Sequence, residues 1–171
     1  MSLTIKQNPS NVGNYAKGRG GNSIKYIVIH YTANDGDTDE GNGKYFHNND
    51  VNASAHYFVD EDSATLSVSE SDTAWHCGGG LQGNSGHSFY KKCKNSNSLG
   101  IEMCADKNGS ELIFTSKTVA NTVELVKSLM KKYNVSVDRV IRHYDVTGKN
   151  CPAPFVKHED SWLRFKARLT E

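Results

Sequence analysis

The stretch "IKYIVIH", Ile24 to His30, is an almost continuous run of β-branched and aromatic residues that ends on an imidazole. Such a run, without polar alternation, reads as a strand buried on both faces, so structure must lie above and below it. Its apolar centre "YIVI" is the longest strong one in the chain, far short of the ~18 residues a membrane helix needs. Further strands are read at "ASAHYFVD" and "ATLSVS", joined by the acidic turn "EDS", at "SLGIEMCA" and at "VDRVIRH". The clearest helix is Ser116 to Tyr133, where Val119, Val123, Val126, Leu129, Met130 and Tyr133 recur at helical spacing. A short helix is expected in "TDEGNGKYFHNND", with Thr38 as its cap and Asp39 and Glu40 in the first turn. Another is expected in "HEDSWLRFKARL". Strands alternating with helices predict an α/β fold, a single domain with a mixed central β-sheet flanked by helices. Its 171 residues are enough to bury a core without staples. The Gly- and Asn-rich residues 1–23 are expected as an irregular arm packed on a domain spanning 24–171.

A formal net charge of +1 and the lack of a basic, aromatic-interleaved stripe argue against nucleic acid as a partner, and no membrane insertion is expected. The N-terminus lacks the apolar middle of a secretory signal, which suits a chain made in the cytoplasm or one whose leader has been removed. Cys77, Cys93, Cys104 and Cys151 are too few to form a disulfide framework, so reduced thiols are the default. From Trp75 to Ser96 the chain is rich in Gly, Ser and Asn, as in a long functional loop.

The loop "IRHYDVTGKNCPAPF" places His143, Lys149 and Cys151 close together in sequence. Imidazole and thiolate are both strong zinc ligands, and two histidines with one cysteine would leave the fourth tetrahedral position open. His143 with Cys151 could equally be a nucleophile and its base. His30 at a strand end is more often a satisfied histidine than a ligand. Glu102 shares a strand face with Gly100 and Cys104, opposite Ile101 and Met103, and is aimed either outward or into a cleft. Lys149, taken alone, is an ordinary loop lysine.

Five ordered motifs add to this: "YIVIHYTA", "SAHYFVDED", "AWHCGG", "NSLGIEMCA" and "RHYDVTGKNCP". Together, from about Lys25 to Phe155, they resemble the zinc-dependent N-acetylmuramoyl-L-alanine amidases, a family shared by phage endolysins, bacterial autolysins and peptidoglycan recognition proteins. The resemblance implies the peptidoglycan recognition protein-type fold and one zinc ion held by His30, His143 and Cys151. It implies Glu102 as general base toward zinc-activated water, and Lys149 as oxyanion stabiliser. Some members use a tyrosine just before the histidine of "AHYF"; here that position is Ala55, which adds weight to Glu102. Tyr57 is expected on the same strand side as Ala55. Trp75, His76 and His56 are candidates for substrate contact, with His56 also readable as a packed histidine. The implied partner is bacterial peptidoglycan, glycan strand plus stem peptide, met by a monomer at the cell wall after release in the manner of a phage or prophage endolysin, or after secretion. A non-catalytic peptidoglycan-binding module of the same fold is the rival reading. Relatives of that kind typically lack the thiolate ligand, which Cys151 supplies here.

Overall fold

The computed structural model describes residues 2–171. In chain order its elements are β1 (Ile5–Gln7), β2 (Tyr15–Ala16), β3 (Tyr26–Asp35), α1 (Asp39–Asn48), β4 (Tyr57–Val59), β5 (Ala64–Leu66), β6 (Thr73–Ala74) and β7 (Ser98–Asn108). They continue with β8 (Glu111–Ile113), α2 (Ser116–Tyr133), β9 (Val140–Arg142), α3 (His143–Thr147), α4 (Ala153–Lys157) and α5 (Glu159–Arg168). The main sheet has the order β1-β5-β4-β7-β3-β9, with β8 on the end of β7, and β2 pairs with β6 in a separate ribbon. It is mixed: β3 is parallel to both β7 and β9, β4 is parallel to β7, and β4 and β5 form an antiparallel pair.

The apolar run at 26–30 is buried throughout, as its composition demands, but the strand does not stop at His30. β3 continues to Asp35 through an irregularity between Tyr31 and Asp35, so His30 stands mid-strand. Strand alternation then divides the side chains. Ile27 and Ile29 of β3, Leu99, Ile101 and Met103 of β7, and Val59 of β4 face a core shared with Val123, Val126 and Leu129 of α2 and Trp162 and Phe165 of α5. Side chains of this size contribute ~1.5–3 kcal/mol each when fully buried. Helix α2 covers the residues its periodicity predicted. Thr115 caps it by accepting from the Thr118 N–H, and Asn134 ends it in the left-handed region at φ 53°.

The opposite face carries Tyr26, Val28, His30, Gly100, Glu102 and Cys104. Helix α1, capped by Thr38 through the Gly41 N–H, covers one part of this face, where Phe46 stacks on Phe58 at 5.2 Å. The long loop 75–96 covers another, packing Cys77, Cys93 and Phe89 against Tyr26, Val28, Ile141 and Val146. All four cysteines are free and buried. No described helix is long and apolar enough to cross a membrane.

Residues 2–23, expected to be irregular, are largely built into the fold. β1 lies parallel to the edge strand β5, and β2 pairs with β6. The three-residue strands are too short and polar to announce themselves; the edge they join supplies their backbone partners. Asn14 is completely buried and donates to the carbonyls of Phe46 (3.0 Å) and Asn49 (2.8 Å) while accepting from the N–H of Val51 (2.7 Å) and Asn52 (3.1 Å).

Candidate active site

Between α1 and the long loop, on the face away from α2, a cleft of about 630 Å³ opens over β3 and β7. Its floor is a row set by strand register: Phe58 of β4 pairs with Glu102 of β7, and Glu102 with His30 of β3. Parallel pairing at matched parity brings these three side chains to one face. His143 enters from the first residue of α3, directly after β9, and Cys151 from the loop beyond. That loop closes on itself through the Tyr144 N–H and the Cys151 carbonyl (2.9 Å). Gly148 makes the closure possible: its φ is +80°, and a Cβ there would stand 2.1 Å from the Gln82 carbonyl oxygen.

His30, His143 and Cys151 each offer one ligand atom, and the three atoms lie within 4.8 Å of one another. Cys151 Sγ is 3.7 Å from His30 Nδ1, and the two imidazoles meet edge to face at 4.7 Å. Both ring nitrogens of His143 are buried without a hydrogen-bond partner among the described residues. An unsatisfied buried polar group costs ~1–3 kcal/mol, so native structures rarely leave one unexplained. Two imidazoles and a thiol turned inward at this separation fit a zinc-like cation: the donor set is right, and one donor has no other partner. Burial pushes the His143 imidazole down to about 3, helped by Lys149 and His76, and lowers His30 well below the ordinary histidine range. Both rings are therefore neutral, the form in which they ligate metals. Burial, with the Glu102 charge, pushes the Cys151 thiol up to about 12. A cation would cancel that penalty by taking the thiolate.

Glu102 is half-buried, and its Oε2 has no hydrogen-bond partner among the described residues. Burial pushes its carboxyl up to about 8; Lys149 opposes the rise and Asp37 adds to it. Lys149 is exposed at the rim of the same cleft and forms no ion pair among the described residues.

The five residues expected to carry chemistry thus share one cleft, and Trp75 and His76 also line it. His56 does not. It is fully buried, accepting from the Gly100 N–H at Nδ1 (3.0 Å), with Nε2 against Arg19 (2.9 Å) and the Asp72 carbonyl (3.1 Å). His56 just precedes the regular strand, which begins at Tyr57, and it takes the packed position that was one of its two readings. Because Ala55 lies before the strand, two-residue alternation does not hold between it and Tyr57. Ala55 and Phe58 line the cleft, whereas Tyr57 sits in the core under α2 and donates to Glu70 (2.6 Å). Sequence reasoning missed Arg19, which reaches from the N-terminal segment to His56 and to the Ser96 and Ser98 carbonyls (both 3.1 Å). It also missed Ser98, a small polar residue on a strand that carries no sequence signal of its own.

The sequence and the fold are both similar to those of known proteins. Residues 20–154 match the family described as N-acetylmuramoyl-L-alanine amidase. The chain is 38% identical over 153 residues to the N-acetylmuramoyl-L-alanine amidase BlyA of Bacillus subtilis (strain 168), covering 85% of this chain and 41% of BlyA. The chain thus spans about two-fifths of the length of such curated relatives. Among solved structures it is similar to a mutant endolysin from Bacillus subtilis (30% identity, TM-score 0.75, 98% of this chain and 99% of that one). It is also similar to the catalytic domain of XlyA (29% identity, TM-score 0.77, 98% and 99%). With the family matched across most of its residues and the fold across nearly all of them, this chain belongs to the N-acetylmuramoyl-L-alanine amidase family.

Proposed function

We propose that this chain hydrolyses the amide joining the lactyl group of N-acetylmuramic acid to L-alanine of the stem peptide in bacterial peptidoglycan. It would do so as a monomer acting at the cell wall, through a catalytic unit spanning residues 24–171. The observation that carries the reading is the convergence of His30, His143 and Cys151 beside an unpartnered Glu102 Oε2 in one open cleft.

His30, His143 and Cys151 would hold one zinc ion. When bound, zinc acts as a Lewis acid and makes water a competent nucleophile at neutral pH. Glu102 takes the proton of the attacking water at Oε2 and returns it to the leaving alanine amine. A carboxyl poised near working pH suits both transfers. The Lys149 ammonium, held at the rim and free of ion pairs among the described residues, sets positive charge where the amide oxygen becomes an oxyanion. Trp75, Tyr45 and Phe46 give the cleft aromatic walls on which sugar rings and peptide can pack.

Purified cell wall is the test substrate. New N-terminal alanine that disappears with a chelator and returns with zinc supports the proposal. Wall that is bound but releases no new amine overturns it and makes the chain a recognition module.

A further inference from the structure

One chain of hydrogen bonds behind the cleft is not used by the mechanism above. Ser98 Oγ lies 2.6 Å from the Lys94 carbonyl oxygen and 3.0 Å from His76 Nε2. His76 Nδ1 in turn lies 2.9 Å from His30 Nε2. With both imidazoles neutral, proton bookkeeping along this chain has one consistent solution. A carbonyl oxygen only accepts, so the Ser98 hydroxyl must donate to Lys94; otherwise two acceptors would face each other at 2.6 Å without a proton. Ser98 Oγ then accepts from His76 Nε2–H, and a neutral His76 has only a lone pair left at Nδ1. His30 must donate its own proton, at Nε2, to that lone pair. His30 Nδ1 is thereby left unprotonated, and it is the nitrogen that faces Cys151 Sγ at 3.7 Å.

Room has been made for this arrangement. Gly100, on β7 under the loop, has no side chain, and a Cβ there would lie 2.5 Å from His76 Cγ and 2.7 Å from Nδ1. The N–H of His76 is tied to Asn95 Oδ1 at 3.1 Å, which fixes the backbone from which the ring projects.

The geometry points to His76 as a positioning residue: with Ser98 and the Lys94 carbonyl it locks His30 in the tautomer whose Nδ1 is open to a metal. This rests on the zinc reading of the site. Outer partners that fix the tautomer of a ligating histidine are worth about 10–100-fold in metal affinity. His76 therefore prepares the centre for its cation and need not touch substrate to matter.

The test is zinc affinity, measured by competition with a chromophoric chelator, together with ¹⁵N imidazole spectra of the metal-free protein. Wild type should show the His30 proton on Nε2. His76→Phe should bind zinc about 10–100-fold more weakly, and Ser98→Ala should shift the affinity in the same direction by about tenfold. His76→Asn, whose side-chain oxygen can stand where Nδ1 stood, should stay within about threefold of wild type. Gly100→Ala should mimic His76→Phe by pushing the ring away. A His30 proton found on Nδ1 in the wild type, or unchanged affinity in both His76→Phe and Ser98→Ala, overturns the proposal. If wild type bound no zinc, the zinc reading would fail first, and the spectra would still decide the tautomer.

Discussion

His30 and Glu102 occupy paired positions on the adjacent parallel strands β3 and β7, side by side on the sheet face that lacks the α2 layer. One is the first member of the proposed ligand cluster, and the other is the carboxyl of the same cleft whose Oε2 has no partner among the described residues. Strand register therefore sets the separation between the proposed ligand and the proposed base, while His143, Lys149 and Cys151 arrive together on a single loop. The division gives each group a separate experimental signature.

Glu102→Gln keeps the shape of the residue but removes the proton acceptor. Release of N-terminal alanine should fall by about 10²–10⁴-fold, the usual contribution of a positioned acid or base, with zinc content unchanged. Activity within tenfold of wild type would remove Glu102 from the mechanism.

Lys149→Met removes charge at an exposed position that makes no ion pair among the described residues. Turnover should drop by about 10²–10³-fold, as for the loss of one oxyanion donor, while the melting temperature and zinc affinity stay put. A change in KM alone, with kcat intact, would instead make Lys149 a substrate-binding residue.

Zinc should stabilise the fold as well as switch on activity, because the ligands converge only in the native state. At free zinc 1,000 times the dissociation constant the gain is about 4.1 kcal/mol, enough to raise the melting temperature by roughly 8 °C or more. Cys151→Ser should lose most of that rise in a thermal scan with and without zinc. An equal rise in both proteins would place the metal elsewhere.

Glu70 should govern part of the acid sensitivity. Burial by itself would raise its carboxyl, but hydrogen bonds from Lys132, Tyr133 and Tyr57 outweigh burial and hold it below the ordinary glutamate range. A folded-state value below the unfolded one means stability that is present above the unfolded carboxylate range and lost as pH falls through the folded value. Glu70→Gln should therefore be less stable than wild type at pH 7 and lose less on acidification, in urea titrations from pH 7 to pH 3. Parallel pH curves for the two proteins would sink this assignment.

Asn14 should be structurally expensive to remove although it lies in the N-terminal segment. Asn14→Ala leaves the N–H groups of Val51 and Asn52 and the carbonyl of Asn49 without this partner, while the Phe46 carbonyl keeps the Asn11 N–H and Ser10 Oγ. A loss of about 2–3 kcal/mol is expected in denaturant unfolding, since each buried orphan costs ~1–3 kcal/mol. A change under 0.5 kcal/mol would mean that this segment is only loosely attached.

Local pattern determined much of this protein. The β-branched run at 26–30, the 3.6-residue periodicity of 116–133 and the caps at Thr38 and Thr115 act over a few residues, so the chain declares them directly. The ordered motifs likewise made His30, Glu102, His143, Lys149 and Cys151 legible as a set. Tertiary structure decided what depends on partners distant in sequence. β4 begins only at Tyr57, and partners distant in sequence place the residues around its start: Gly100, Arg19 and Asp72 hold His56, and Glu70 receives Tyr57. Residues 5–7 become a strand because β5 offers them an open edge. Ser98 and His76 act on His30 through hydrogen bonds that span 22 and 46 positions of sequence. Hydrogen bonding and register across such distances follow from how the sheet closes, and no window of neighbouring residues encodes them.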